Sequence, residues 1–189
     1  MQKFKVTLQS TSPYMQHRMD DLKLDEWEKL RGKIIERSDV AHTDAVRAEY
    51  HSYRNENGQC YIPAAQFKGS FIEAGKLVKA KVGNATKSMK NIVAGMFLVG
   101  PEQITLPDYD MVDKRSAVNQ AIKARVISVR PKWSSWKVTF ILTVKNDTLT
   151  QETIRSIVQY AGEYIGIGSY RPTKSGEFGC FEVVDMEKL

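Results

Sequence analysis

The sequence is poor in cysteine and histidine and contains no long apolar run. Its 189 residues include only Cys60, Cys180 and three histidines. Two distant cysteines cannot form a zinc ligand set, and thiols stay reduced inside cells, so we expect two small buried side chains, with no metal and no cofactor. The N-terminal residues alternate in polarity, and no eighteen-residue apolar run occurs. These absences predict a globular, cytoplasmic protein without membrane contact.

Motifs for nucleotide or metal chemistry are also scarce. The glycines of Gly166 to Gly168 lack the Gly-Lys-Ser/Thr ending of a P-loop. Asp108, Asp110 and Asp113 cluster in one predicted loop, and paired carboxylates can hold magnesium for metal-assisted cleavage. Their spacing lacks the glycine and the terminal glutamate of a calcium loop, and a solvated acidic turn explains them equally well.

Charge is distributed in blocks of one sign. The net charge is +6, yet Met19 to Gly58 holds ten acidic and seven basic residues. Pro63 to Lys90 carries six lysines against the single Glu73, and Lys114 to Lys137 carries seven basic residues and no acidic one. One-signed basic runs are typical of surfaces that bind polyanions, although a solvated basic surface is the alternative.

Hydrophobic periodicity predicts alternating strands and helices. A strand around Phe4 to Leu8 precedes two helices in the acidic block, at Leu24 to Arg37 and after Thr43. A longer helix begins at Pro63 and ends at Gly83-Asn84. Its buried stripe consists of Phe67, Phe71, Ala74 and Val78.

The C-terminal half continues this alternation. Ala121 to Val129 and Trp136 to Lys145 alternate as strands, and the short Arg130 to Ser135 connection predicts that they pair as a hairpin. Thr150 precedes an amphipathic helix, and a last strand follows a glycine-rich loop. The apolar stripe of this helix is Ile154, Ile157, Val158, Ala161 and Ile165.

This order predicts an α+β fold. With insertions at 19–58 (acidic and helical) and 83–118 set aside, residues 1–189 read as one βαββαβ domain of the ferredoxin-like, RNA-recognition type with an antiparallel sheet. Two helices would cover one face of the sheet and leave the other free. Basic residues that could line the free face and follow a sugar-phosphate backbone are Lys3, Lys5, Lys123, Arg125 and Lys137.

The glycine-rich loop combines backbone freedom with charge. Gly168 can approach a ligand closely, Tyr170 can stack, and Arg171 and Lys174 supply positive charge. The loop can equally be a flexible exit from the preceding helix, with Gly166 as a C-terminal cap. Two further candidate contacts elsewhere in the chain are Arg18 and Lys68.

A second aromatic and basic cluster lies at the predicted hairpin tip. Trp133 and Trp136 stand beside Arg130, Lys132 and Lys137. This combination suits base stacking with phosphate contact. The tip can equally serve as a contact between subunits.

Two segments carry a recognisable pattern: Ile62 to Gly69 reads Ile-Pro-Ala-Ala-Gln-Phe-Lys-Gly, and the glycine-rich Gly166 to Phe181 ends in Phe-Gly-x-Phe. They resemble the proline-initiated helix start and the glycine-rich loop of the RAMP superfamily, which includes the backbone subunits of CRISPR effector complexes. Ser12 to Met19, Asp113-Lys114-Arg115 and Gly-Ile-Gly-x-Tyr-Arg-Pro are similar to stand-alone phage-encoded relatives. The resemblance implies RNA binding, often as a filament.

Three functions remain open from the sequence. The leading prediction is a non-catalytic, largely sequence-independent binder of RNA or single-stranded DNA. The second is an interaction protein that docks on, or imitates part of, a CRISPR or phage replication complex. The third is a metal-independent endoribonuclease, an activity found in some members of the superfamily, with His17 as general acid or base beside Arg18. His42 and His51 lie in the acidic block, where we expect no chemical role.

Overall fold

The computed structural model describes residues 1–18, 43–82, 84–119 and 124–189. Four helices occur among them: α1 (Asp44–Glu49), α2 (Ala64–Ala74), α3 (Lys90–Met96) and α4 (Gln151–Tyr160). The eleven strands are β1 (Gln2–Ser10), β2 (Tyr14–Met15), β3 (Tyr61–Pro63), β4 (Lys79–Val82), β5 (Ala85–Ser88), β6 (Phe97–Gly100), β7 (Gln103–Thr105), β8 (Met111–Asn119), β9 (Ala124–Trp133), β10 (Lys137–Val144) and β11 (Phe181–Lys188). The predicted helix at Leu24 to Arg37 lies outside the described residues.

The main sheet has four strands in the order β11-β1-β10-β6, and every neighbouring pair is antiparallel. In chain order, α2 lies between β1 and β6, and α4 lies between β10 and β11. Both helices belong to the same buried cluster as one face of the sheet. The predicted α+β class with an antiparallel sheet is therefore confirmed.

Period-two alternation places the core on one face of the central strands. Phe4, Val6 and Leu8 of β1 are fully buried, as the sequence predicts. On β10 the buried residues are Val138, Phe140, Leu142 and Val144. Phe67 of α2 packs on this face, with its ring centroid 5.1 Å from that of Phe140. Burial of these aromatic and aliphatic side chains is the main stabilising contribution to the domain.

A second sheet has the order β2-β9-β8, and its β8 and β9 form a long hairpin. The predicted pairing of residues 121–129 with 136–145 is wrong, because β9 pairs with β8 and β2 while β10 pairs with β1 and β6. Only residues 134–136 connect β9 to β10. The chain changes sheets there because Trp133 and Trp136 are both buried and anchor the connection in the core.

Helix α2 begins after Pro63, as predicted, and buries Phe67, Phe71 and Ala74. Its predicted end is wrong, because the helix stops at Ala74 and the lysine-rich residues form the hairpin β4–β5. The predicted helix after Thr43 is confirmed as α1, although it is only six residues long.

Helix α4 follows the prediction closely. The Thr150 side chain accepts a hydrogen bond from the Thr153 N–H at 3.2 Å and caps the N-terminus. Ile154, Ile157 and Val158 of the predicted stripe are fully buried. A π-helical turn over Ala161–Ile165 continues the helix into the glycine-rich loop.

The segment set aside as a second insertion is part of the fold. Residues 84–118 supply β6, the edge strand of the main sheet, and β8 of the second sheet. The prediction that the β9 segment is the second strand of the βαββαβ order is wrong, because β6 occupies that position in the main sheet. Among the described residues, no helix is long and apolar enough to cross a bilayer.

Candidate nucleic-acid interface

A groove of about 590 Å³ separates helix α2 from the glycine-rich loop. One wall is the α2 face that carries Ala65, Gln66, Gly69, Ser70 and Glu73. The other wall is the loop from Ile165 to Arg171 together with Lys174, and His17 also lines the groove. The structure therefore places the glycine-rich loop, with Arg171 and Lys174, opposite one face of α2.

The helical wall presents small and polar groups. Because residues 65, 66, 69, 70 and 73 share one face, this wall runs for about 12 Å along the helix. The first turn of α2 lies at one end of this wall, so the positive end of the helix dipole is at the groove. The buried Tyr14 hydroxyl donates to Oε1 of Gln66 at 3.0 Å, which leaves the Gln66 amide nitrogen as the donor end. Burial raises the pKa of Tyr14, so this phenol stays neutral.

Gly69 opens the helical wall. A Cβ built at this position meets no atom within 4 Å. Glycine in a helix interior costs roughly 0.5–1 kcal/mol relative to alanine, so the fold gains nothing from it here. The absence of a side chain keeps the middle of the groove open.

Gly168 has a structural reason to be glycine. Its φ is +72°, and a Cβ there would lie 2.4 Å from Cε2 of Tyr14 and 2.5 Å from the Met15 carbonyl oxygen. The next residue, Ser169, donates its N–H to the same Met15 carbonyl at 2.9 Å. The loop is therefore held closely against β2, and its course along the groove is ordered by packing.

The loop presents unused backbone donors. Within the described residues, the N–H groups of Gly168, Tyr170 and Arg171 donate to no acceptor of the protein. Neighbouring N–H groups do have partners, since Ile167 donates to Gly179 and Phe178 donates to Tyr170. Backbone N–H groups are strong obligatory donors, and several in one loop favour an anionic ligand.

Positive charge lies on the same wall. Arg171 is half-buried, and its guanidinium donates to the Gly168 carbonyl at 2.8 Å and to Oγ1 of Thr173 at 3.1 Å. Lys174 is exposed and makes no ion pair within the described residues. Tyr170 has 42% of its surface exposed at φ 60° and directly precedes Arg171 in the loop. The loop thus offers charge and an aromatic ring to one ligand.

The hairpin β8–β9 supports the loop from outside. The Arg115 guanidinium lies 4.7 Å from the Tyr170 ring centroid and 5.0 Å from that of Phe178. The pKa of Arg115 is raised, chiefly by its hydrogen bonds to Asp113. Arg130 donates to Oγ of Ser169 at 2.5 Å, and Lys132 lies 5.2 Å from the Phe178 ring centroid. The predicted residues Arg130 and Lys132 therefore position the loop.

Lys68 does not line the groove. Its ammonium donates to the carbonyls of Val93 at 2.7 Å and Ala94 at 2.8 Å, and also to that of Phe97. Burial lowers its pKa. These three carbonyls end helix α3, so the predicted nucleic-acid contact is corrected to a C-terminal cap.

The tryptophans at the predicted hairpin tip are core residues. Trp133 is 1% exposed and Trp136 is 2% exposed. The Trp133 indole donates to the Pro107 carbonyl at 2.8 Å, and Trp136 packs against Tyr14, Phe67 and Phe181. The prediction that they stack on bases or contact a neighbouring subunit is wrong, because neither ring reaches the surface.

The open face of the main sheet is not uniformly basic. Lys3, Lys5 and Lys137 lie there, but the register places three acidic side chains of β11 beside β1 on the same face, namely Glu182, Asp185 and Glu187. Arg125 belongs to β9 in the other sheet and is exposed, and Lys123 lies outside the described residues. The prediction of a basic open face is therefore wrong. Acidic residues balance the lysines that lie there, and Arg125 lies in the other sheet.

His17 and His51 form an unexpected pair beside the groove. The exposed His17 ring lies 4.7 Å from that of His51 in an edge-to-face arrangement. Arg18 donates its N–H to the His51 carbonyl at 3.0 Å, and Nδ1 of His51 lies 2.9 Å from the Arg18 carbonyl. These contacts tie the Arg18 backbone to His51, and they order the segment that carries His17.

The three clustered aspartates do not converge. Asp108 pairs with Arg54 at 2.6 Å, Asp110 accepts the Ser134 N–H at 3.0 Å, and Asp113 binds Arg115. In the part of the chain that the structure describes, no three His, Cys, Asp or Glu residues are arranged to hold a metal ion. The three aspartates therefore make three separate structural contacts and do not form one solvated acidic turn.

Three residues of the site have weak sequence signals. Gly69 is a glycine inside a predicted helix, which is the signal that could have marked it. Gln66 and Arg115 lie within two segments quoted in the sequence analysis, but no local pattern indicates their contacts, which depend on packing between distant segments. No family model matches the chain, and no curated protein shows significant similarity to it.

Proposed function

We propose that the protein binds single-stranded nucleic acid, RNA or DNA, in the groove between α2 and the glycine-rich loop, without catalysis and largely without sequence selection. The observation that carries the proposal is the combination of Arg171, Lys174 and three unused backbone N–H groups along one wall. Cations and N–H donors suit phosphate oxygens.

The geometry favours backbone contact over base reading. The exposed ring of Tyr170 offers a stacking surface, which every base can use. The helical wall supplies few side-chain donors, with the Gln66 amide as the main one. Phosphate contacts position a strand without carrying sequence information, so affinity depends on charge and length.

We also propose that the domain is of the ferredoxin-like type and related to the RAMP superfamily. The chain order β1, α2, β6, β10, α4, β11 and the sheet order β11-β1-β10-β6 support this assignment. The position of the glycine-rich loop after α4 supports the resemblance. Assembly along a strand and docking on a CRISPR or phage replication complex remain predictions.

A salt series on two charge-matched variants tests the proposal. Arg171→Gln combined with Lys174→Gln removes two groove cations, and Lys3→Gln combined with Lys137→Gln removes two cations from the open sheet face. Fluorescence anisotropy with a 12-nucleotide single strand measures Kd from 50 to 300 mM salt. We expect the groove variant to lower the slope of log K against log salt by about 1.4, since each phosphate contact on a single strand contributes about 0.7.

The sheet-face variant is the control and should keep the wild-type slope. Equal losses in both variants would indicate a diffuse electrostatic effect and contradict the groove. Absence of any salt-dependent binding by the wild-type protein would reject nucleic-acid binding itself. RNA and DNA of the same sequence, measured in parallel, show which strand the groove prefers.

One observation favours a second function, metal-independent RNA cleavage. His17 is exposed, lines the groove and lies beside His51, where it could act as a general base on a ribose 2′-hydroxyl. This function predicts that the protein cuts RNA but not DNA in the presence of a chelator, and that His17→Ala abolishes cutting. Intact RNA after prolonged incubation with the wild-type protein would remove this alternative.

A further inference from the structure

The hairpin β4–β5 concentrates lysine without any acidic residue. From Ala74 to Pro101 the sequence holds five lysines and no aspartate or glutamate. Four of them belong to the hairpin and its exit, namely Lys79, Lys81, Lys87 and Lys90. The two strands pair in the register Lys79↔Ser88 to Val82↔Ala85 and form a sheet separate from the other three.

These lysines are not used by the fold. All four are exposed, and their ammonium groups make no ion pair or hydrogen bond within the described residues. Ala80 packs against the core, so Lys79 and Lys81 lie on the opposite, outward face of the hairpin, whereas Lys87 pairs with Ala80 and lies on the other face. The hairpin therefore presents positive charge that no acidic side chain of the described residues balances.

The base of the hairpin lies at one end of the groove. Glu73 lines the groove at the end of α2 and forms an ion pair with Lys76. Directly after it, Ser88 donates to the Gly75 carbonyl at 3.0 Å, and Met89 donates its N–H to Val78 at 3.0 Å. A Cβ on Gly75 would lie 3.0 Å from the backbone nitrogen of Lys90, so the hairpin packs tightly against the helix end.

We propose that the β4–β5 hairpin is a second nucleic-acid contact, which receives the sugar-phosphate backbone of a strand as it leaves the groove past Glu73. This inference rests on the proposed function of the groove. The helical wall of about 12 Å accommodates about three stacked nucleotides at 3.4 Å each. Four strand residues extend about 13 Å further, enough for the lysines to reach three or four additional phosphates.

The proposal makes binding dependent on strand length. A strand of three nucleotides occupies the groove alone, and a strand of twelve also reaches the hairpin. Charge from the hairpin should therefore contribute to the affinity of the longer strand only. Glu73, neutralised by Lys76, separates the two contacts at the helix end.

The test uses the fourfold variant Lys79→Gln, Lys81→Gln, Lys87→Gln and Lys90→Gln. The control is the fourfold variant of exposed lysines on the main sheet, Lys3→Gln, Lys5→Gln, Lys137→Gln and Lys188→Gln, which has the same net charge. Both proteins are titrated with oligouridylate of three and of twelve nucleotides across a salt series, after circular dichroism has shown retained folding. For the twelve-nucleotide strand we expect the hairpin variant to lose up to about 2.8 in salt slope, or about 0.7 per lysine.

For the three-nucleotide strand, the hairpin variant should match the control. If the hairpin variant keeps the wild-type salt slope on the twelve-nucleotide strand, or loses the same slope on both strand lengths, the hairpin contact is overturned. Either result leaves the groove proposal intact. If the Arg171→Gln, Lys174→Gln variant binds both strands with the wild-type salt slope, the groove proposal is contradicted, whatever the result for the hairpin. The proposal is also overturned if the wild-type protein binds polyglutamate more tightly than oligouridylate, because this would indicate an acidic protein partner.

Discussion

Two glycines at the groove have opposite physical roles. Gly168 adopts φ +72° with Tyr14 2.4 Å from where its Cβ would be, so any side chain there disturbs the packing of β2. Gly69 is helical and has open space around it. The first glycine is required by the fold, and the second is a candidate for a requirement of the ligand.

Substitutions at Gly69 separate stability from binding. Gly69→Ala should raise the free energy of unfolding by roughly 0.5–1 kcal/mol, because alanine is the better helix residue and its Cβ meets nothing. Gly69→Trp should fill the groove and weaken the binding of a single strand at least tenfold, while the protein stays folded. Urea unfolding and anisotropy measure the two effects.

Gly168→Ala serves as the comparison, since it should destabilise the protein through strain and collision. Normal binding by a folded Gly69→Trp variant would show that the strand does not pass through this groove.

Lys68 illustrates why charge alone does not identify a ligand contact. It belongs to a basic block of the sequence, yet its ammonium caps α3 through three carbonyls. The sequence separates Lys68 from Val93 by 25 residues. Nothing in the local pattern could indicate that these carbonyls would need a donor.

At the scale of elements, Arg54 ties α1 to the loop that precedes β8. Its guanidinium binds Glu49 at the end of α1, and it also donates to Asp108 at 2.6 Å and to the Gly58 carbonyl at 2.6 Å. Tyr109 donates to the same Glu49 carboxylate at 3.2 Å. The hydrogen bonds from Arg54 lower the pKa of both Glu49 and Asp108.

This cluster predicts a defined loss of stability in acid. Because the folded-state pKa of both carboxyls is lowered, their contribution is present above their ordinary values of 4.5 and 3.8 and is lost as pH falls through the folded values. Arg54→Gln should therefore lower the urea midpoint at pH 7, and the difference from wild type should shrink at pH 3. Arg125→Gln, an exposed arginine of β9, should change the midpoint at neither pH. A constant difference across this range would contradict the role given to the carboxylates.

The connection between β9 and β10 shows that two strands adjacent in sequence can belong to different sheets. Both strands were predicted, and a short link between two alternating segments is typical of a hairpin. Instead, β9 pairs with β8 over nine residue pairs, and β10 joins β1 and β6. The buried indoles of Trp133 and Trp136 at the link make the change of sheet favourable.

At the scale of the whole molecule, binding should stabilise the native state. The groove wall, the hairpin β8–β9 and β2 come from distant segments, so the site exists only when the chain is folded. A single-stranded oligonucleotide at 100 times its Kd should therefore raise the free energy of unfolding by about 2.7 kcal/mol. Differential scanning fluorimetry measures the accompanying rise in Tm.

The same experiment at 1 M salt provides the control. The rise in Tm should largely vanish there, because screening and counterion effects weaken phosphate contacts. A rise that persists at 1 M salt would indicate a ligand held by apolar contacts instead of by its phosphates.

The α+β class, the first strand, the start of α2 and the capped helix α4 were all predictable from the sequence. These features depend on local periodicity and capping, which neighbouring residues specify. The sequence also marked the glycine-rich loop and its cations Arg171 and Lys174 as a candidate site. Both residues lie in one short segment, so no long-range contact was needed to bring them together.

Strand pairing and the grouping of charges on one surface depend on the tertiary structure. It placed β6 in the main sheet, buried Trp133, assigned Lys68 to the end of α3, and brought Gly69 and Gln66 opposite the glycine-rich loop. Strand partners and salt-bridge partners depend on how segments far apart in the chain pack together. The local sequence pattern does not contain this information.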